Sequence, residues 1–185
     1  MLKTSIQRWI LRVSTIVRDQ RGVSAVEFAL LAPVMIALYL GCAQVSQGVT
    51  ADRKVSMTSA ALANLTAQAT TISTTDMTNI LDASSAIIYP FSTSALTMTV
   101  TCLKIDASKN VTVKWSVTRG GTANSGTMTI PSALAVANTQ LILAEASYNY
   151  VPIIGTALAA NIVLSDKMYM SPRISSPTYN SIACT

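Results

Sequence analysis

Residues 21–45 read RGVSAVEFALLAPVMIALYLGCAQV: a glycine next to an arginine, then a single acid, Glu27, at the entrance of an apolar run. From Phe28 through Ala51 no charge occurs in 24 residues. Of the eighteen residues from Phe28 to Val45, fifteen are apolar, the exceptions being Pro33, Gly41 and Gln44. At a rise of ~1.5 Å per residue a helix of this length covers roughly 27–36 Å, the thickness of a bilayer's hydrocarbon core, so a transmembrane helix is expected. A soluble core helix fits less well, because such helices are rarely apolar around their whole circumference. Pro33 removes one backbone hydrogen bond and crowds the carbonyl of Ala29, which predicts a kink. A carboxylate at the bilayer centre costs about 2.5–3.5 kcal/mol on insertion scales, and less towards the interface, so Glu27 is expected to have a use.

Working outward towards the N-terminus, the first 22 residues hold five basic residues (Lys3, Arg8, Arg12, Arg18, Arg21) against Asp19, a net +4 of the chain's total +5. The remaining eight bases and seven acids nearly cancel. The basicity therefore belongs to a leader, and it is no footprint for nucleic acid. Basic residues before the apolar run favour an N-terminus in the cytoplasm and a body outside it. The chain has no histidine, which removes the usual general base and the commonest metal ligand. Asp52, Asp76, Asp82, Asp106, Glu145 and Asp166 are scattered, with no pair spaced for acid–base work or for a metal. No enzyme activity, cofactor, metal or small-molecule substrate is expected.

Two other readings of the apolar run use Gly41-Cys42-Ala43. It has the small-x-small pattern of a secretory cleavage site, and Gly41-Cys42 resembles the end of a lipoprotein signal, although Tyr39 and Leu40 fit that pattern poorly. Either would start the mature chain at Cys42 or Gln44, and both leave Glu27 and the long basic preamble without a role. Cys42 itself reads as a small buried hydrophobe.

The basic leader, Gly22, Val23 to Val26, Glu27 and Phe28 together resemble the processing site of type IV prepilins. Within that group the stretch from Arg21 to Val34, with its Gly-x4-Glu spacing, flanking aromatic and Pro33, is most similar to TadE-like minor pilins of the tight adherence, or Flp, pilus system. The resemblance implies cleavage between Gly22 and Val23 by a membrane prepilin peptidase. Glu27 would then be the fifth residue of the mature protein, supporting processing or assembly beside Phe28. The freed amine of Val23 and the carboxylate of Glu27 would lie one helical turn apart, able to neutralise each other within one chain or between staggered neighbours. A residue without Cβ before the scissile bond suits an extended backbone in a narrow cleft. Major Flp pilins are much shorter, so the roughly 140 residues after the anchor point to a minor or accessory subunit.

The rest of the sequence reads as an α+β domain with a mainly antiparallel sheet packed on helix. Val55, Leu62 and Ala69 recur every seven residues with Thr58, Leu65 and Ile72 between them, which extends the helix past the membrane. The Ser/Thr cluster at 70–75 interrupts it. Thr74 or Thr75 is expected to cap a short helix from Asp76 to Tyr89, with Met77, Ile80, Leu81, Ala86, Ile87 and Ile88 inward and Pro90 as terminator. From residue 95 the period becomes two. Leu96, Met98, Val100 and Cys102 alternate with threonines, and Val111, Val113, Trp115 and Val117 alternate with polar residues. The turn at 106–110 makes these a hairpin with one buried face and one Thr/Lys face. A loop rich in glycine leads to Thr127–Ile130, and strands are expected at 140–151 and 162–170, separated by Pro152 and Gly155. Tyr148, Tyr150, Tyr169 and Tyr179 are expected to pack at the edge or on the face of the sheet. If the body lies outside the cytoplasm, Cys102 and Cys184 can form a disulfide tying a proline- and serine-rich tail to the first strand.

The expected organisation is a basic prepilin-type leader at 1–22, a transmembrane pilin-like helix at 23–50 and an extracytoplasmic domain at 51–185. The expected role is assembly of an adhesive pilus from the bacterial inner membrane, with a prepilin peptidase and other pilin and pilus-assembly subunits as partners. The alternative is an unprocessed single-span envelope protein whose periplasmic domain binds a partner.

Overall fold

The computed structural model describes residues 21–152 and 161–185. The leader up to Gln20, and Gly155, lie outside them. The chain divides between Val45 and Ser46 into two compact units. In the first, helix α1 (Arg21–Gln68) begins, with Pro33 inside it. Its large side chains, among them Val26, Leu30, Leu31, Met35, Ile36 and Leu38, are exposed. This helix is long and apolar enough to cross a membrane, and none of its most apolar window is covered by protein.

The second unit starts at Ser46 and is an α+β domain. Here α1 becomes one-sided: Ala51, Val55, Thr58, Ser59, Leu62, Ala63, Thr66 and Ala67 are buried at spacings of three and four, the face a 3.6-residue period predicts. The hydroxyls of Thr58 and Thr66 donate at 2.8 Å to the carbonyls of Lys54 and Leu62, so these polar groups enter the core already satisfied. The stripe differs from the expected heptads in its later members. Leu65 is exposed, while Ala69 and Ile72 fall beyond the helix, Ile72 being buried in the two-residue strand β1 (Thr71–Ile72). A helical face drifts relative to a seven-residue repeat, and burial follows the sheet it packs on.

Helix α2 (Thr74–Ser85) is capped by Ser73, one residue before either expected threonine. The Ser73 hydroxyl accepts from the Asp76 N–H while the Asp76 carboxylate accepts from the Ser73 N–H, a reciprocal capping box. The α-helix ends sooner than Tyr89. A 3₁₀ turn at Ala86–Ile88 takes over, Ala86 is exposed rather than inward, and Ser84 is buried instead.

Four antiparallel strands follow, β2 (Leu96–Ile105), β3 (Val111–Arg119), β4 (Thr139–Tyr150) and β5 (Ile162–Met170), in the order β3-β2-β4-β5. Residues 127–130 form no strand. They contribute one isolated bridge, Thr127 to Thr112. Helix α1 runs along this sheet in the direction of β5: Gly48 lies by Tyr150, Ser59 bonds Asp166 at 2.9 Å, and the Ala67 carbonyl accepts from the Arg173 N–H at 2.9 Å.

The expectation of one buried and one polar sheet face fails in an instructive way. Central strand β2 is covered on both sides, and Thr99 and Thr101 are buried. On the helix side, Leu96, Met98, Val100, Cys102, Ile142, Ala144 and Ala146 pack with Val55 and Leu62. On the other side, Leu103, Ile105, Val111, Leu141 and Leu143 form a second cluster under Ile130, with Leu134 against it. The even alternation of Val111, Val113, Trp115 and Val117 does not put all four on one face. Cys102 pairs with Trp115 but Leu103 pairs with Val113, so Lys114 is an extra residue. That bulge turns Val111 and Val113 to one cluster and Trp115 and Val117 to the other.

The tail is held by more than its cysteine. Strand β6 (Thr178–Tyr179) pairs parallel with β1 and antiparallel with β7 (Ile182–Ala183). The Trp115 indole donates to the Pro177 carbonyl at 3.3 Å and its ring lies 5.6 Å from that of Tyr179. Cys184 is bonded to Cys102 with Cα atoms 5.9 Å apart, both residues buried. The tyrosines form no single cluster. Tyr148 and Tyr150 meet Phe91, Tyr179 meets Trp115, and Tyr169 borders the second cluster.

Candidate functional site

Gly22, Val23, Glu27 and Phe28 all lie in the first turns of α1 and all are exposed, Phe28 at 71%. Nothing stands within 4 Å of where a Cβ on Gly22 would be, so space around the residue does not demand glycine. Val23 and Glu27 are four apart in one helix, hence neighbours on one face about 6 Å apart along the axis. Phe28, Leu31 and Met35 continue an uncovered apolar surface beyond the carboxylate. Pro33 is exposed one turn and a half further on, and Cys42 is a free, exposed thiol. A carboxylate at the start of such a surface has two physical options: reach water at the interface, or meet a cation brought to it in an apolar setting.

The body holds a second polar constellation that the threonine alternation gave no reason to expect. The Asn124 side chain donates to Thr101 Oγ1 at 3.0 Å and to Glu145 Oε2 at 2.7 Å, and the Asn124 N–H donates to Ser116 Oγ at 3.0 Å. Thr101 and Ser116 share a 2.9 Å bond, and Lys167 reaches Glu145 at 2.7 Å. The hydrogen bond to Glu145 raises the Lys167 pKa above its ordinary 10.5, against a smaller opposing effect of burial. Every acid in this group is matched to a donor, and its members come from the loop after β3 and from all four large strands. Its chemistry is that of a clasp holding the loop on the sheet. The only hint in the sequence was Asn124 within the Asn-Ser-Gly triplet, which composition alone reads as a turn.

A shallow recess of about 360 Å³ between Lys109–Val111 and Thr127–Ile130 carries one charge, Lys109, and no nucleophile–base pair. Among the described residues, no group of three or more acids or cysteines is placed to hold a metal ion.

Residues 22–64 match the family model described as TadE-like protein. The matched segment begins at Gly22 and runs through the apolar half of α1 into the buried face of the body. No curated protein and no solved structure matches the chain. The class defined here is that of a single-span candidate with an α+β domain. Over residues 22–64 the chain is similar to TadE-like proteins.

Proposed function

We propose that this chain is a minor pilin or pseudopilin that contributes to assembly of a Tad/Flp-type adhesive pilus, after a prepilin peptidase cuts between Gly22 and Val23. The observation that carries this reading is the coincidence of the family match, which starts at Gly22, with a helix whose most apolar window no part of the described protein covers. Such a surface is at home in lipid after synthesis and against other apolar helices once in a fibre.

Glu27 has the part that needs a partner. Cleavage would create an ammonium at Val23, one turn away, and the pair could be satisfied within a chain or by the next subunit, which would set the axial stagger. The basic leader keeps the N-terminus cytoplasmic and sends the body to the periplasm, with the inner membrane as the anchor's first location. A buried disulfide supports the same sidedness, because disulfides persist in the periplasm and are rare in the cytosol. Pilus-assembly subunits are then the partners of the helix.

N-terminal sequencing of protein purified from membranes tests the reading. A chain beginning at Val23 is the expected result. An intact Met1 would favour the unprocessed single-span protein, and a start at Cys42 or Gln44 an exported domain.

A further inference from the structure

Four exposed apolar side chains of the body lie near one end, while Met57, Tyr89, Val136, Ile174 and Ile182 are exposed elsewhere on it. Val151, Ile162 and Val163, where β4 and β5 part, are 49%, 47% and 65% exposed, and Val49 on the helix is 48% exposed. Ile162 is the register partner of Tyr150, and Val163 that of Asn149. A Cβ on Gly48 would meet the Tyr150 ring at 3.8 Å, which puts this end of the hairpin beside helical positions 48 and 49. Because α1 runs along the sheet from Tyr150 towards Arg173, these residues stand at the end of the body that follows directly on the apolar run.

Charge follows the same division. No charged residue occurs between Glu27 and Asp52, and none between Glu145 and Asp166. The opposite end of the sheet, where β2 turns into β3, carries Lys104, Asp106 and Lys109. Depth agrees as well. The uncharged run of α1 is about 36 Å long and a hydrocarbon core about 30 Å thick, so a centred core ends roughly two residues before Ala51, next to Gly48 and Val49. A pairing of β5 edges between two copies is a poorer fit, since Asp166 and Lys167 interrupt that strand with charge.

We propose that Val49, Val151, Ile162 and Val163 form a second membrane contact, seating this end of the body at the headgroup–hydrocarbon boundary of the leaflet from which α1 emerges. The occupant is a lipid surface. The contact is continuous with the membrane span and rests on the single-span reading of α1. It fixes how the body stands on the membrane, and extraction of the subunit has to release it along with the helix.

The full chain is reconstituted in vesicles of phosphatidylethanolamine and phosphatidylglycerol, with and without lipids brominated near the top of the acyl chain. An environment-sensitive fluorophore is placed on Val151→Cys or Val163→Cys in a Cys42→Ser background. Val136→Cys, exposed three residues before β4 begins, is the body control, and the native Cys42 thiol is the control for the span. The expected result is loss of emission by bromolipid at positions 151, 163 and 42 and none at 136. Labels at 151 and 163 behaving like 136 while Cys42 is quenched would overturn the proposal and leave the span intact. Blue-shifted but unquenched labels at 151 and 163 would report a protein partner and overturn it too. An unquenched Cys42 would remove the span and this contact together.

Discussion

Gly22 and Glu27 are single residues whose identities matter for opposite reasons. Gly22 has open space around it, so a larger residue there leaves the helix standing, and on the proposed reading it acts through processing. Gly22→Val is expected to accumulate full-length precursor on immunoblots of membranes. Glu27→Ala is expected to reduce pilus assembly, counted by electron microscopy, with the body's thermal unfolding unchanged, because the residue is exposed on a separate unit from the domain. The capping box offers a residue-scale test of stability. Hydrogen bonds from the Ser73 hydroxyl, then from its N–H, hold the Asp76 carboxyl below its ordinary 3.8. A depressed folded-state pKa contributes stability that is present above the unfolded value and is lost as pH falls through the folded one. Ser73→Ala is expected to cost about 1 kcal/mol at neutral pH, as losses of such caps do. Denaturant titrations of the two proteins should draw closer as the pH is lowered below 3.8, the remaining gap being the bond that the Ser73 hydroxyl accepts from the Asp76 N–H.

Among the elements, the second half of α1 is the most telling. The sequence offered Leu62 and Leu65 as equal members of one stripe, yet Leu62 is fully buried and Leu65 is 37% exposed. Leu62→Ala is expected to cost about 2–5 kcal/mol through lost burial and a residual cavity. Leu65→Ala should cost less than about 1 kcal/mol, as surface changes do. Equal losses in chemical denaturation would put the stripe in the wrong register. The β6–β7 turn gives a change of the other sign. Asn180 and Ser181 both have positive φ, 45° and 68°, the pattern of a two-residue turn in which glycine commonly takes the second place. Ser181→Gly is expected to raise stability by roughly 0.5–1 kcal/mol, read from the thermal midpoint, because glycine removes the left-handed strain.

For the molecule as a whole, the disulfide ties the tail to central strand β2. Cys102 and Cys184 are 82 residues apart, and closing a loop of that length removes unfolded-state entropy worth about 4.5 kcal/mol in the chain-entropy model. Cys184→Ser is expected to lower stability by up to that amount. The tail should remain partly docked in this variant, since β6, Pro177 and Arg173 keep their own partners. Limited proteolysis after the change checks this: cleavage at Arg173 as fast as in an unfolded control would show that the cysteine alone holds the tail.

Much of the architecture could be read from the residues because the signals were local. An uncharged run of 24 residues has few structures open to it, and alternation from residue 95 onward marks strands wherever they pair. The segment at 21–34 likewise resembles TadE-like proteins through contiguous residues. By itself, then, the sequence determined an apolar helix with one acid at its entrance, followed by an α+β domain with an antiparallel hairpin at its heart. Only the tertiary structure decided which faces are covered. A bulge at Lys114 inverts the facing of half a strand with no change in the alternation. The loop carrying Asn124 and Ile130 buries a threonine face that its composition marks for solvent. Burial depends on what arrives from distant parts of the chain, and no periodicity along one strand records that arrival.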